Sequence, residues 1–422
     1  MLNWMYPLIL WFALPLVWIR LQWRGRRDPD YKPRQSERFG KVPQDIKPGP
    51  IWFHTVSAGE SIAASGLIRE LVAANPEAHF LVTTMTPTGS AQVLERLGDV
   101  AQHCYAPYDF SFAVRRFYTA VKPRMLVLME TELWPNLIRH AHDADIPVVL
   151  INARLSERSA RGYARIGSIT TTMLARMRLI ACQGQDHAER FTGLGLGADQ
   201  VRVVGNVKYD LALPQNIAVS VERLGNQLGI GSGPVWIAAS THPGEDEVVL
   251  AAHEVVRSEI PEAQLILVPR HPHRADEVAK LVAHRGWSQQ RQSEAGGARA
   301  DVVIGDVMGS LLALYGLADC AFVGGSLVAI GGHNPIEPAL FELPVITGPE
   351  QFNFADAYMQ MGDSGAAVTV DNAQDLGALV ATYLSDKAAA EAAGNAAAQV
   401  VAANKGATQR TRALLQEMIQ SL

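Results

Sequence analysis

Cysteine is scarce in this chain of 422 residues, which contains only three: Cys104, Cys182 and Cys320. They are widely spaced in apolar surroundings, and no Cys-x-x-Cys pair occurs. This excludes a disulfide framework and a cysteine-based zinc site as the basis of the fold. It also favours a reducing compartment.

Several catalytic signatures are also missing. The first strand is not followed by G-x-G-x-x-G, and neither G-x-x-x-x-G-K-[ST] nor G-x-S-x-G occurs. Dehydrogenase, P-loop NTPase and α/β-hydrolase functions are therefore disfavoured. The twelve histidines are scattered, and the tight pair His271 and His273 has no cysteine or acidic ligand at suitable spacing. We expect no metal and no other cofactor.

Charge is absent from Met1 to Ile19, a stretch rich in tryptophan that four arginines follow between positions 20 and 27. The length and composition predict a membrane segment of about spanning length, a single-pass anchor at residues 1–23. The arginines on its C-terminal side place the remaining chain in the cytoplasm. In a cleaved signal peptide, the basic residues would precede the apolar run. Pro7 and Pro15 leave a tilted or interfacial anchor open.

The positive charge of the chain is concentrated at its start. The net charge is −5, but residues 1–50 contain nine Lys/Arg against four Asp/Glu, so the remainder carries −10. This disfavours a protein that coats nucleic acid and indicates an anionic membrane surface beside the N-terminus. Residues 24–50 contain five prolines and are predicted to form a basic connector.

Short apolar runs alternate with amphipathic stretches from Ile51 onward, which is typical of doubly wound α/β domains with parallel sheets. Two Rossmann-like domains are predicted, at residues 51–210 and 234–422, with a linker at 211–233 and Ala-rich closing helices at the end. The first series of strands is Ile51–Val56, His79–Thr84, Met125–Met129, Pro147–Asn152, Leu179–Gln183 and Val201–Val204. The second is Val235–Ala239, Gln264–Pro269, Val302–Ile304, Cys320–Val323, Pro344–Thr347 and Ala367–Val370.

Glu60 follows the first predicted strand and lies in the first turn of the next helix, whose apolar period includes Ile62, Leu67 and Ile68. Ligands of open α/β sheets bind beyond the carboxyl ends of the strands, so this carboxylate is a candidate catalytic group. An acidic residue in a first turn also complements the helix dipole, and this alternative carries equal weight.

Three further loops of the first half follow predicted strands. Residues 83–90 form a polar turn suited to hydroxyls or phosphates. Glu130 and Glu132 share a face only if the chain is extended there, and helix capping is the alternative role. Lys208 could neutralise a phosphate or a developing oxyanion, although a lone lysine is more often a solvated surface charge.

The second half contains more potential anion-binding groups. Residues 240–245 join a strand to a helix, and residues 268–274 place Arg270 and Arg274 after a strand. Residues 324–338 combine glycines, which allow close approach of the backbone, with Glu337 in a first helical turn. That carboxylate could bind ribose hydroxyls while the helix start binds phosphate.

Taken together, these motifs resemble the 3-deoxy-D-manno-octulosonic acid (Kdo) transferases of Gram-negative bacteria. The resemblance runs along the whole chain through WIRLQWRGR, HTVSAGE, TTMTPTGS, METELWPN, NARLSERS, VPRHP and FVGGSLVAIGGHNPIEP. It implies a GT-B fold, with two Rossmann-like domains facing a cleft. It further implies inverting transfer of Kdo from CMP-Kdo to a tetraacyl lipid A precursor (lipid IVA) at the cytoplasmic face of the inner membrane, in lipopolysaccharide synthesis.

The resemblance also implies roles for particular residues. Glu60 matches the general base, and Glu130 and Lys208 match positions that stabilise the transition state. One departure is Ser310, where many members have Glu. The positions that match the CMP-binding loops are Pro269, Arg270, Met308, Gly309, Ser310, Asn334, Pro335, Ile336 and Glu337.

Two other functions remain open at this point. One is a different GT-B enzyme, such as a lipid-A-disaccharide synthase or a nucleotide-sugar epimerase, which would prefer uridine over cytidine nucleotides. The other is a non-catalytic membrane scaffold, which would have no need of the Glu60 carboxylate.

Overall fold

The computed structural model describes residues 5–231, 233–294 and 296–422. The chain divides into two compact units. Unit 1 comprises residues 1–210 and 405–422, and unit 2 comprises residues 211–404. Residues 1–4 of the predicted anchor and residue 232 of the predicted linker lie outside the described residues.

Unit 1 contains a seven-stranded parallel sheet with the order β3-β2-β1-β4-β5-β6-β7. Alternate residues of each strand face opposite sides, and both sides are buried, as expected for a parallel sheet covered by helices. Trp52 belongs to one core and Phe53 to the other. The strands are β1 (Ile51–His54), β2 (Phe80–Thr84), β3 (Gln102–Tyr105), β4 (Met125–Met129), β5 (Val148–Ala153), β6 (Leu179–Cys182) and β7 (Val201–Val203).

Helices connect these strands in chain order. Ser57 accepts a hydrogen bond from the backbone N–H of Glu60 at 3.3 Å and so begins the helix after β1. The helices of this part of the chain are α1 (Met5–Arg27), α2 (Ala58–Ala74), α3 (Pro87–Leu97), α4 (Ser111–Val121), α5 (Pro135–Asp143), α6 (Glu157–Arg165), α7 (Gly167–Leu174) and α8 (Gln185–Gly193).

Unit 2 also contains a seven-stranded parallel sheet, with the order β10-β11-β9-β8-β12-β13-β14. Its strands are β8 (Val235–Thr241), β9 (Gln264–Pro269), β10 (Gln289–Arg291), β11 (Val302–Ile304), β12 (Cys320–Val323), β13 (Val345–Thr347) and β14 (Ala367–Thr369). Its helices are α9 (Ile217–Gln227), α10 (Glu245–Glu259), α11 (Ala275–His284), α12 (Leu311–Tyr315), α13 (Ile336–Ala339), α14 (Ala355–Asp363), α15 (Ala373–Ser385) and α16 (Lys387–Asn404). The last helix of the chain is α17 (Ala407–Gln420), which lies outside the residues of unit 2.

The two sheets confirm the predicted α/β class and all twelve predicted strands, and each sheet has one additional edge strand. β3 reads Gln-His-Cys-Tyr, and β10 reads Gln-Gln-Arg. An edge strand pairs on one side only and needs less apolar sequence, which explains why neither was predicted.

The boundaries of the units differ from the predicted domains at two places. The predicted linker contains α9, whose Leu224 is buried in a core of unit 2 together with Leu228. The last helix, α17, belongs to unit 1, where Leu415 and Ile419 pack in the same core as β1. The apolar period of α17 indicated a helix, but it carries no information about which sheet the helix covers.

The basic connector is packed more closely than its proline content suggests. Glu37 is buried and accepts a hydrogen bond from the backbone N–H of Tyr105 at 2.8 Å. Arg38 is buried as well and lies over the ring of Tyr105, 4.1 Å from its centroid. This segment therefore forms part of the edge of unit 1, beside β3.

Helix α1 has two apolar stripes. Leu14, Val17 and Leu21 are at least partly buried, and the Tyr6 hydroxyl donates a hydrogen bond to Asp109 Oδ2 at 2.8 Å. The opposite stripe is exposed and consists of Phe12, Leu16, Ile19 and Trp23. Among the helices of the described ranges, none is both long and apolar enough to cross a lipid bilayer.

Candidate functional site

Glu60 lies at the carboxyl end of β1, in the first turn of α2. Its Oε2 accepts a hydrogen bond from the backbone N–H of Val56 at 2.9 Å, and its Oε1 accepts one from the Ser57 hydroxyl at 2.8 Å. The side chain is therefore held in one orientation and is mostly buried. Glu60 lies in the first turn of α2, as the helix-dipole alternative requires, but that alternative does not account for the electrostatics of the carboxyl group.

The pKa of Glu60 is raised from 4.5 to about 8. Burial is the main cause, and the neighbouring carboxylates of Glu130 and Glu132 also contribute. The hydrogen bonds from Val56 and Ser57 lower the pKa but do not offset burial. A carboxylate with this pKa accepts a proton near neutral pH far more readily than an ordinary glutamate.

Glu130 is positioned by an unusual backbone conformation at the end of β4. Its φ of 57° lies in the left-handed region, which is uncommon for a residue with a side chain and often marks a functional site. Lys208 Nζ lies 2.7 Å from Glu130 Oε1, and Arg154 Nε lies 3.4 Å from Oε2. The structure therefore brings together the two residues predicted to stabilise the transition state, and it adds Arg154.

Glu132 follows in a turn before α5, where its backbone N–H donates to Met129 O at 3.4 Å. Its Oε2 accepts a hydrogen bond from Trp134 Nε1 at 2.7 Å, and burial raises its pKa. Because Glu130 and Glu132 both raise the pKa of Glu60, both carboxylates lie close to it. Helix α5 begins only at Pro135, so neither glutamate lies on a helix.

Asn152, near the end of β5, was not predicted as a site residue. It is buried with a φ of 49°, and the pairing register of β5 with β6 shifts between Leu150 and Ala153. Its Oδ1 accepts a hydrogen bond from the backbone N–H of Val207 at 3.1 Å. Asn152 thus holds the turn that carries Lys208. The signal in the sequence was that Asn152 begins the NARLSERS motif.

Unit 2 contains a second buried carboxylate, Glu245, at the start of α10. Its two oxygens accept four backbone N–H groups, at distances between 2.7 and 3.0 Å. Gly324 passes so close that an added Cβ would lie 3.0 Å from Glu245 Oε2. The carboxylate therefore fixes the glycine-rich loop after β12 against the loop after β8. The donors are His242, Gly325, Ser326 and Leu327.

The two arginines after β9 have different environments. Arg274 is buried and pairs with Asp246 at 2.5 Å, and Asp246 also accepts a hydrogen bond from the Thr241 hydroxyl at 2.6 Å. Arg270 follows Pro269 directly and has an exposed side chain, while its backbone N–H donates to Thr241 O at 2.9 Å. Arg270 is therefore the available cation of this loop, whereas Arg274 is structural.

Residues 334–337 form the start of α13, as predicted. Asn334 Oδ1 accepts a hydrogen bond from the backbone N–H of Ile336 at 3.1 Å, and its Nδ2 donates to Glu337 Oε1 at 3.2 Å. Burial raises the pKa of Glu337, and Arg270 acts in the opposite direction. Arg270 is therefore close enough to Glu337 to affect its carboxyl group.

Met308, Gly309 and Ser310 form an exposed turn before α12. Gly309 has a φ of 82°, a conformation that glycine adopts without strain. The Ser310 hydroxyl donates to Val307 O at 2.8 Å and lies 2.9 Å from Gln292 Oε1. Its side chain is thus already engaged within the unit.

A pair of histidines beside these loops was also missed. His242 Nε2 and His333 Nε2 lie 2.9 Å apart, and their rings are stacked. Burial lowers the pKa of both residues, to about 3 for His333. Both rings are therefore neutral near pH 7, with one donating a hydrogen bond to the other.

Comparison with known proteins decides the family. Residues 33–211 match the family model described as 3-deoxy-D-manno-octulosonic-acid transferase (Kdo transferase). The 3-deoxy-D-manno-octulosonic acid transferase of Haemophilus influenzae is 39% identical over 100% of this chain and 99% of its own length. The chain belongs to the Kdo transferase family. The Kdo transferase of Bordetella pertussis is 34% identical over 98% of this chain and 99% of its own.

This membership confirms the resemblance of the motifs and makes the protein a glycosyltransferase. A structural match supports the fold. The UDP-GlcNAc 2-epimerase of Neisseria meningitidis matches 88% of this chain and 100% of its own with a TM-score of 0.60, at 13% identity. At that identity the likeness concerns the fold alone, and it agrees with the predicted GT-B class. The roles of the individual site residues in this Kdo transferase stay predictions.

Proposed function

We propose that this Kdo transferase transfers Kdo from CMP-Kdo to a lipid A precursor of the tetraacyl type (lipid IVA) with inversion, during lipopolysaccharide synthesis. The observation that carries the proposal is the buried Glu60, with its pKa raised to about 8, beside the ion pair of Glu130 with Lys208. Transfer to a sugar hydroxyl requires a base, and this carboxylate has a suitable pKa and orientation.

In the proposed reaction, Glu60 removes the proton of the acceptor hydroxyl. The hydroxyl oxygen forms a bond to the anomeric carbon of Kdo while the bond from that carbon to the CMP oxygen breaks. The proton remains on Glu60, and CMP leaves with the bonding electron pair. A single displacement of this kind inverts the anomeric centre and requires no nucleophile from the enzyme.

Unit 2 supplies the proposed binding groups for CMP. The exposed Arg270 guanidinium suits the phosphate, and Glu337 suits the ribose hydroxyls. The loops at Met308–Ser310 and Asn334–Ile336 provide backbone contacts. Because CMP leaves as a single phosphate, a guanidinium and backbone N–H groups can neutralise its charge, and the proposed mechanism includes no metal.

We further propose that α1 holds the enzyme on the cytoplasmic face of the inner membrane. Its outward stripe of Phe12, Leu16, Ile19 and Trp23 is between 49% and 77% exposed, and arginines follow it. Apolar side chains beside basic residues favour binding to an anionic lipid surface.

Membrane binding is tested by replacing Phe12, Leu16 and Ile19 together with serine and measuring sedimentation with vesicles that contain phosphatidylglycerol. We expect most of the bound fraction to be lost. The matched control replaces three exposed apolar residues elsewhere, Leu94, Val219 and Met359, with serine. Equal vesicle binding by the two triple variants would contradict a role for α1.

The catalytic proposal is tested by mass spectrometry of the lipid product. Detergent-solubilised enzyme is incubated with tetraacyl-disaccharide 1,4′-bisphosphate and CMP-Kdo generated in situ. We expect a mass increase of one or more Kdo units, and the number of units would show how many this enzyme adds. A parallel incubation with uridine-nucleotide sugars tests the other GT-B activities. Turnover with those donors alone would overturn the proposal, and no turnover with any donor would favour a scaffold.

A further inference from the structure

Helix α6 presents a row of three arginines on one face. Arg158, Arg161 and Arg165 are spaced by three and four residues, so their side chains project from the same side of the helix, and all three are exposed. On the opposite side, Ala160 and Tyr163 pack against a core of unit 1. The arginines therefore face outward and take no part in holding the helix in place.

The row has little compensating negative charge. Residues 154–165 contain four arginines and one acidic residue, Glu157, in a chain whose net charge is −5. Glu157 lies 3.9 Å from Arg161, and both side chains are more than 70% exposed, so this pair contributes little. Within the part of the chain that the structure describes, Arg158 and Arg165 form no ion pair. Like charges at this spacing destabilise a helix, so helix stability does not explain the row.

The position of α6 connects the row to the candidate site. The helix begins three residues after Arg154, whose Nε lies 3.4 Å from Glu130 Oε2. Burial and the Glu132 carboxylate both raise the pKa of the Tyr163 hydroxyl. Tyr163 in turn contributes to the raised pKa of the Tyr6 hydroxyl in α1. Tyr163, on the side of α6 opposite the arginine row, therefore lies near the loop of the two glutamates and near Tyr6 in the first turn of α1.

We propose that Arg158, Arg161 and Arg165 bind phosphate groups of the acceptor lipid. This inference rests on the proposed function, in which the acceptor is an amphiphile with a phosphorylated sugar headgroup. Such a molecule combines acyl chains, phosphates and a sugar hydroxyl. In unit 1, the outward apolar stripe of α1 suits the acyl chains and the arginine row of α6 suits the phosphates. Glu60 suits the sugar hydroxyl.

Arginine suits this role better than lysine does. Its planar guanidinium forms two parallel hydrogen bonds to a phosphate and keeps its charge at all relevant pH values. Three guanidinium groups along about two turns of helix also span a distance of about 10 Å. Phosphates at separate positions of one headgroup, or one phosphate in several orientations, can therefore be bound.

The test compares steady-state kinetics of the wild type with the triple variant Arg158→Gln, Arg161→Gln, Arg165→Gln. We expect KM for the bisphosphorylated acceptor to rise about tenfold or more, with KM for CMP-Kdo and kcat within about twofold. The KM of the corresponding triple lysine variant should lie between those of the wild type and the glutamine variant, because charge is retained and bidentate geometry is lost. Removing one phosphate from the acceptor should reduce the difference between wild type and the glutamine variant.

A matched variant, Arg96→Gln, Arg115→Gln, Arg116→Gln, removes three exposed positive charges from other helices of unit 1 and should retain the wild-type KM. An equal rise in this control, or an unchanged KM in the α6 variant, would overturn the inference. The inference would also be overturned if the α6 variant raised KM equally for bisphosphorylated and monophosphorylated acceptors and no longer bound phosphatidylglycerol vesicles. The row would then bind the membrane.

Acceptor binding is measured separately from turnover, by tryptophan fluorescence in detergent micelles. If the wild type binds the acceptor more tightly than the α6 variant does but transfers no Kdo, the proposed function fails and the inference stands. If it transfers Kdo and the α6 variant binds the acceptor equally well, the inference alone fails.

Discussion

The two units use a buried glutamate at comparable positions for different purposes. In each unit, the first strand of the sheet leads into a helix whose first turn contains the glutamate, Glu60 after β1 and Glu245 after β8. Glu245 accepts four backbone N–H groups, whereas Glu60 accepts one backbone N–H and one hydroxyl. A carboxylate whose two oxygens accept four backbone N–H groups serves to fix a loop. One with fewer donors, near two other carboxylates, is able to exchange a proton.

The strongest test of this contrast is Glu60→Gln. The amide keeps the size of the side chain but cannot accept a proton, so we expect Kdo transfer to fall by about 10²- to 10⁴-fold. Binding of CMP-Kdo, measured by calorimetry, should stay within about twofold of the wild type, because the proposed CMP-binding residues lie in unit 2. Retained turnover would remove Glu60 from the role of base.

Lys208→Met should have the next largest effect. It removes the positive charge 2.7 Å from Glu130, and we expect the rate of transfer to fall about 10²-fold with little change in KM for CMP-Kdo. Lys41→Met, a change at an exposed lysine of the same unit, is the control. Equal rates for the two variants would show that the ion pair has no catalytic function.

Glu245→Gln tests the other half of the comparison. The amide NH₂ group would face backbone N–H groups that now donate to an oxygen, so we expect the free energy of unfolding to fall by about 3 kcal/mol, measured in urea. CMP-Kdo binding should weaken as well, because the glycine-rich loop loses its anchor. The exposed Glu247, in the same helical turn, provides the control Glu247→Gln. Unchanged stability of the Glu245 variant would contradict a structural role.

A smaller effect is expected in the pH dependence of stability. The folded protein holds the Glu60 proton up to about pH 8, whereas the unfolded chain releases it near pH 4.5. The unfolded state is therefore favoured progressively as pH rises from 4.5 to 8, and the wild type loses stability there relative to Glu60→Gln. The amide can donate to Ser57 and accept from Val56, so the variant fits the same site.

The corresponding measurement is the difference in Tm between Glu60→Gln and the wild type across this pH range. It should be close to zero near pH 4 and reach a few degrees in favour of the variant at pH 8 to 9. A difference that does not change with pH would show that Glu60 has the same pKa in the folded and unfolded states.

The parts of the molecule that the sequence predicted are those determined by local pattern. The apolar runs of the central strands, the start of α2 after β1 and the position of Glu60 in its first turn depend only on neighbouring residues. β3 and β10 were missed because polar edge strands lack an apolar period.

The contacts that complete the site depend on residues far apart in the chain. Glu245 accepts a hydrogen bond from Gly325, 80 positions away, and Asn152 accepts one from Val207, 55 positions away. No local pattern indicates such partners. The packing of α17 in unit 1 could not be predicted either, because the pattern of an amphipathic helix does not indicate which sheet it covers.

The most direct test of the account is the pH profile of Kdo transfer in single turnover, with enzyme in excess over acceptor. If Glu60 is the base, the rate rises about tenfold per pH unit at low pH and levels off above about pH 8, where the carboxylate is ionised. A rate that is flat or that falls between pH 6 and 9 would contradict the account, because no group with a pKa near 8 would then need to lose its proton.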